Sequence, residues 1–384
     1  MANTLTGLVP SMYNALDVVS RELVGFIPAV TMDATYTRAA VGQQVTSPVA
    51  PVATATDITP AVTPPNDGDQ AIGSTTMTIT KARRVPIRWN GEERLGVDNN
   101  GAQFNVIFRD QMAQAMRTLV NEVERDLALT YVSASRAYGT AGATPFATNT
   151  SELMQSRKIL VDNGAPSGDI QAVLDTGAGA NIRTLYGINT TRDWSTVPVN
   201  ERGVLVNPDG VSIRESGQVV VATAGTGASA TTNAAGYAVG ATVITLASAG
   251  TGTILAGDII TFAGDTNKYV VASGDDDVLN GGTITLAAPG LKQAIAASAT
   301  AITVISAGPR SLVFARSAIA LAMRAPALPQ GGDAAVDRML VTDPVSGITF
   351  EVSMYAQYRQ MQYEVAIAWG TKAVKPEHMA ILLG

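Results

Sequence analysis

The residues that could do chemistry are few. The single histidine, His378, stands near the end of the chain in KPEHM, so a Ser-His-Asp relay or a two-histidine metal site would have to be built around this one imidazole. A packed or surface histidine is the simpler reading. There is no cysteine, which removes disulfides and thiolate metal sites together. The run LDTGAGANIRT puts Gly177 and Gly179 at G-x-G spacing between a strand-like and a helix-like segment, but Ile182 occupies the third glycine position. A tight helix start, and not a dinucleotide loop, is therefore expected. Asp275, Asp276 and Asp277 offer three carboxylates. Adjacent side chains of an extended chain point in opposing directions, and the spacing is not that of an EF-hand loop, so a solvated turn is expected. The densest basic group is Lys81, Arg83, Arg84 and Arg88. Four cations on one strand can touch nucleic acid, yet such a small group more often meets acids across a protein interface. These four are the candidate intersubunit contacts. No catalytic, cofactor-binding or metal-binding residue is assigned.

Composition sets the frame for these groups. The chain has 384 residues, enough for two or three domains, and 46% of them are hydrophobic. Only 15% are charged, against about 25% in ordinary soluble domains. A lone subunit would be poorly solvated, and much of its surface is expected to be covered by other protein. The net charge of −6 argues against a large basic face for nucleic acid. The N-terminus lacks a basic region followed by an apolar run, so no secretory signal is read. The longest charge-free segment, Ser216 to Gly257, is broken by Gly, Thr, Ser and Asn and is not a membrane span.

The elements that must position the basic group come next. Leu8, Met12, Leu16, Val19 and Leu23 form a helical stripe that starts near Pro10 and ends at Gly25. Ser47 to Gly68 carries five prolines and two acids, yet eight of its residues are Ala, Val or Ile: too proline-rich for a central strand, too apolar for an ordinary linker. After it, Thr76, Thr78 and Thr80 alternate with Met77 and Ile79 before KARRVPIRWN, which reads as an extended return strand. Paired with residues near Ala39 to Val45, it makes a two-stranded arm with prolines at its tip. From Gln103 to Val132 the period becomes helical, with Phe108, Met112, Met116, Leu119, Val123, Leu127 and Tyr131 on one face, over roughly 45 Å. A second helix is expected over Glu152 to Asp162, with Asn149 and Glu152 at capping-box spacing and a stop at Gly164. QAVLDT reads as a strand and ANIRTLYG as a helical turn.

Between Ala222 and Ala307 charge nearly vanishes, while ATVITL, GDIITFAG, NKYVVAS, GTITLA and TAITVI recur between glycines and polar turns. Several short strands with glycine punctuation predict a small barrel or sandwich inserted into a host domain. PRSLVFARSAIALAMRAP reads as a strand running into a helix. At the end, Ile348, Phe350, Val352 and Met354, then Tyr363, Val365, Ile367 and Trp369, are two period-2 sets.

This order of elements resembles the tailed-phage major capsid protein, and more narrowly the podovirus coat proteins that carry an inserted β-barrel. The resemblance is carried by LVFARSAIALAMRAP (312–326), GITFEVSMYAQYRQMQYEVAIAWGTKAVKPEHMAILLG (347–384), ILVDNGAPSGDIQAVLDT (159–176) and GDIITFAGDTNKYVV (257–271). It implies an α+β chain with the Hong Kong ninety-seven phage capsid fold: peripheral and axial domains, a spine helix and an extended loop, with the all-β barrel inserted. The implied division is 1–30 N-terminal helical arm, 31–95 extended loop, 96–221 first part of the capsid core, 222–307 inserted β domain and 308–384 closing part of the core. The implied function is a non-enzymatic shell subunit, without cofactor or membrane. Its partners would be many copies of itself, a scaffolding protein, a portal, packaged double-stranded DNA and a decoration protein. It would be assembled in the bacterial cytoplasm and reside in the virion. The proline-rich arm matches no pattern of its own. Two alternatives are an encapsulin-like bacterial compartment shell and a β-rich carbohydrate-binding surface protein. The aromatic content of 5% weighs against the second, because sugar platforms need exposed aromatic faces.

Overall fold

The computed structural model describes residues 24–49, 55–63, 68–69, 71–99, 104–188, 210–342 and 347–384. The expected helix over Leu8 to Leu23 lies outside them. In chain order come β1 (Thr31–Ala39), β2 (Gln44–Val49), β3 (Gly73–Thr78), β4 (Lys81–Asn90), α1 (Gly91–Asn99), α2 (Phe104–Ala128), β5 (Arg136–Gly139), α3 (Ser151–Asp162), β6 (Ile170–Leu174), α4 (Thr176–Ile188), β7 (Val211–Glu215) and β8 (Val221–Ala222). There follow β9 (Val243–Thr245), β10 (Ile259–Phe262), β11 (Lys268–Ser273), β12 (Thr283–Leu286), β13 (Ile302–Val304), β14 (Gly308–Ala315), β15 (Ile319–Pro326), β16 (Ala335–Thr342), β17 (Thr349–Gln357), β18 (Gln360–Ala373) and β19 (Met379–Leu383). The fold is mixed α and β, as expected.

The apolar stripe of α2 packs on a six-stranded sheet ordered β1-β15-β18-β17-β16, with β4 on the far side of β18. Phe108, Met112, Met116, Leu119, Val123 and Leu127 meet Phe350, Val352, Val365, Ile367 and Trp369, all buried. Each such side chain contributes about 1.5–3 kcal/mol on leaving water. The helix runs 25 residues and then tightens into a 3-10 turn at Leu129–Ser133, so the α-helical part is shorter than the periodicity implied.

Residues 312–326 overturn the expected strand-to-helix transition. They form the end of β14 and the whole of β15, joined by a 3-10 turn at Arg316–Ala318. Alanine-rich sequence favours helix only as a weak prior. Here Ile319, Leu321 and Met323 alternate with Ala320 and Ala322, and β15 fills the slot between β1 and β18. The start of α3 also differs. Asn149 accepts from the Ser151 N–H (2.9 Å) while Glu152 reaches back to the Phe146 N–H (2.7 Å), so the reciprocal box is not closed. A box does form where none was expected: Asn90 and Glu93 exchange bonds of 2.7 and 3.0 Å and open α1.

A second core gathers Phe146, Leu153, Leu160, Ile182 and Ile213 around β6, β14 and β19. β19 runs parallel to β5 and antiparallel to β14, which pairs antiparallel with β6. The expected buried tail is therefore the middle of a sheet. All five short runs predicted between Ala222 and Ala307 contain strands, β9 to β13, and they enclose their own apolar cluster, including Ile244, Ile254, Phe262, Tyr269 and Ile284. Ala222 pairs directly with Gly308, so the chain leaves and returns at adjacent points. β11 also pairs with β5.

Candidate interaction surface

β4 carries the basic group, and its register with β18 decides where each cation points. Lys81 and Arg83 face α2: Lys81 Nζ lies 2.6 Å from Asp126, whose other oxygen accepts from Trp369 Nε1 at 2.8 Å, and Arg83 lies 3.6 Å from Glu122. Arg84 emerges on the opposite face and donates to Glu364 of β18 at 2.6 Å. That hydrogen bond, and then the carboxylate's charge, raise the Arg84 pKa above its ordinary value. Arg88 shares the face of Arg84, is exposed, and makes no ion pair among the described residues. Three of the four candidates thus have acids within their own chain. Arg83 and Arg84 are more than half exposed, so each pair contributes only about 0–1 kcal/mol to the fold.

The outer edge of β4 is unpaired by any described strand. The Gly91 N–H continues the ladder to the Arg359 carbonyl, so odd residues bond towards β18 and even residues point their N–H groups outwards. Pro86 falls on the outward set, where no donor is required and strand addition is blunted. Between this edge and α2 runs a groove of about 310 Å³, lined by Val85, Ile87, Arg88, Gln111, Gln114 and Thr118.

The arm is the second feature. β2 and β3 pair antiparallel from Gln44↔Thr78 to Val49↔Gly73. The pairing lies further out than Ala39 to Val45, because Ala39 belongs to β1 and a turn at Val41–Gly42 starts the ribbon. Beyond the ribbon, residues 55–63 have no helix or strand, and Ile58 and Val62 are almost wholly exposed, at 97% and 105%. Ile72 is 76% exposed. From Gln44 to Thr80 the sequence holds Asp57, Asp67 and Asp69 and no Lys or Arg.

The remaining sequence candidates fall elsewhere. His378 is buried in a 3-10 turn before β19, its Nδ1 has no partner among the described residues, and burial lowers its pKa. Asp175 accepts from Gly177 and Ala178 at the start of α4, so the chain's own carboxylate holds the N–H groups a phosphate would need. The Asp275 side chain accepts from the Asp277 N–H and Asp277 caps the turn at Val278–Asn280, which is a local turn as expected. Among the described residues no group of three or more His, Asp or Glu could hold a metal ion, and no helix is long and apolar enough to cross a membrane.

Two positions escaped the sequence reading. Glu124 is wholly buried on α2, and Gly370 lies under the arm. The charge of Glu124 is plain in the sequence, but its burial depends on backbone N–H groups nearly a hundred residues away. Nothing in the local pattern around Gly370 distinguishes a contact from a weak strand.

No protein-family model matches the chain, and no curated protein does. Among solved structures, it is similar to the capsid structure of the cyanophage P-SCSP1u, with 11% identity and a TM-score of 0.46 over 92% of this chain and 86% of that one. It is similar to a chain of Mycobacterium phage Che8, with 12% identity and a TM-score of 0.43 over 90% and 88%. It is also similar to the virus-like particle from Pyrococcus furiosus, with 9% identity and a TM-score of 0.40 over 97% and 96%.

Proposed function

We propose that this chain is the major capsid subunit of a tailed double-stranded DNA phage, a protein whose work is to assemble with copies of itself into a closed shell. The observation that carries the reading is the arm. A paired ribbon holds Ile58, Val62 and Ile72 out in water, where the described residues offer them no cover. Leaving such side chains exposed forgoes about 1.5–3 kcal/mol apiece, and an extended segment regains it when it docks on another surface. Low charge and the open β4 edge support the same reading.

The order of elements follows what the resemblance implies. The arm is the extended loop, α2 the spine helix, and the six-stranded sheet the peripheral domain. The second core around β6, β14 and β19 is the axial domain. Residues 222–307 are an inserted β-barrel domain, supported by the separate cluster and the Ala222–Gly308 pair. The inserted domain keeps its bounds of 222 and 307 in this assignment, while the extended loop narrows to residues 40–80, because β1 and β4 belong to the six-stranded sheet. Hexamers and pentamers are the capsomers, Arg83, Arg84 and Arg88 face a neighbouring subunit, and scaffolding protein, portal and packaged DNA are the further partners in the bacterial cytoplasm.

Sedimentation of the expressed protein tests the reading. Fast-sedimenting particles of many copies are expected, and a monomer that stays dispersed at every concentration and salt would refute it. Particles that enclose protein cargo in place of DNA would favour the compartment-shell alternative.

A further inference from the structure

We infer that Gly370, on β18, is the positioning residue that fixes the direction of the arm. The inference rests on the proposed shell function for its consequence, but the contact itself is a property of the single chain.

Around Gly370 the two faces of β15 and β18 differ in side-chain size. Towards α2 stand Leu321, Met323, Ile367 and Trp369, while on the opposite face Ala320, Ala322, Ala368 and Gly370 carry nothing larger than a methyl group. Ala322 and Gly370 are direct cross-strand partners. Over them lies the root of the arm, with Ile79 wholly buried and Met77 and Ala39 nearly so, in a cluster with Ala322 and Ala368.

At Gly370 the backbone of the root lies directly against the sheet. A Cβ added there would stand 2.0 Å from the Thr78 carbonyl oxygen, 2.9 Å from its carbon and 3.1 Å from Ile79 Cα. All three are backbone atoms, so no rotamer change relieves the clash and the root must lift. Its φ is not in the left-handed region, so close approach alone requires glycine here. Polar bonds fasten the root on either side. Lys372 Nζ donates to the Thr76 carbonyl at 2.7 Å, and the Thr80 N–H donates to the Trp369 carbonyl at 3.0 Å. Gly42 and Ile79 close the turn through bonds of 2.9 Å from the Gly42 N–H to Ile79 O and from the Ile79 N–H to Gln43 O.

The consequence is mechanical. The ribbon beyond the root is paired over six residues on each strand, about 20 Å long, and paired strands do not bend freely. A lift of about 1 Å at the root therefore swings the far end by several ångströms, beyond the tolerance of a packed contact. The arm is aimed before assembly by its seat on the sheet, while residues 55–63 adapt to what they meet.

The test uses the full chain. Gly370→Ala and Gly370→Val are compared with wild type by hydrogen exchange in unassembled subunits and by yield of sedimenting particles. Amides of Ile79 and Thr80 are expected to exchange at least about tenfold faster, those of Val365 and Ile367 at the wild-type rate, and particle yield to collapse. Lys372→Met, which adds no bulk, keeps the test valid if the glycine variants fail to fold; it should speed exchange over 77–80 and reduce yield in part. Wild-type exchange at Ile79 and Thr80 in Gly370→Ala, or in Lys372→Met where the glycine variants do not fold, overturns the inference. Wild-type particle yield despite faster exchange overturns it too. Altered exchange in a protein whose wild type forms no particles would leave the seat standing and refute the shell function alone.

Discussion

The Glu124 carboxylate accepts the Ile27 N–H at 2.7 Å and the Phe26 N–H at 3.1 Å, inside the core and with no ion pair among the described residues. The Ser216 hydroxyl donates to the same carboxylate at 2.9 Å. One side chain of α2 therefore joins the incoming chain, the helix and the end of β7. Gly25 of that incoming segment packs on the end of β7, where a Cβ would meet the Glu215 carbonyl oxygen at 2.7 Å.

Replacing this carboxylate should be costly and pH-dependent. Glu124→Gln turns an amide NH₂ towards backbone donors, and should lower stability by about 1–3 kcal/mol in denaturant titrations. Burial raises the Glu124 pKa above its ordinary value, against the pull of its backbone N–H and hydroxyl donors. The native state then holds a proton that the unfolded chain has released, so its stability falls as pH rises from the ordinary glutamate range through the raised value. The gap between wild type and variant should be widest at acid pH and narrow as pH rises. A gap that widens with pH would mean that the ionised form is the stabilised one.

The segment between the Ala222 and Gly308 pair should fold alone. Residues 222–307 expressed as a fragment should give a β-type circular dichroism spectrum and a cooperative thermal transition, since they enclose their own cluster. The spectrum of an unfolded chain would show that the β11–β5 pairing is essential and that the segment is no inserted domain.

Arg83, Arg84 and Arg88 should matter more to assembly than to folding. Their alanine variants should each change subunit stability by about 1 kcal/mol or less, because the pairs with Glu122 and Glu364 are exposed and Arg88 has none among the described residues. Particle yield should fall, most for Arg88→Ala, and the defect should vary with salt. Unchanged yield across a salt series would make the patch a solvated face. Normal particles with less DNA would assign it to nucleic acid.

Where periodicity was strong, the fold was legible before any coordinates. The α2 stripe from Phe108 to Leu127, the set through Phe350 and the set from Val365 to Trp369 are buried, with Tyr363 partly so, and the five short runs after Ala222 each contribute to a buried cluster. Residues 312–326 misled because alanine serves a helix surface and a tightly covered sheet face equally well, and only the overlying Ile79 distinguishes them. The cations on β4 were legible as a group and their opposite faces followed from strand alternation. Their acids were not, because Glu122 and Glu364 come together with β4 only through the tertiary fold. Glu124 and Gly370 escaped for the same reason: each is defined by backbone atoms far away in sequence.

Electron microscopy of the assembled protein tests the central claim most directly. Closed shells of uniform diameter are expected, with a map that places residues 55–63 against a neighbouring copy and covers Ile58 and Val62. Dispersed monomers, or shells in which those residues stay in solvent, would contradict the account.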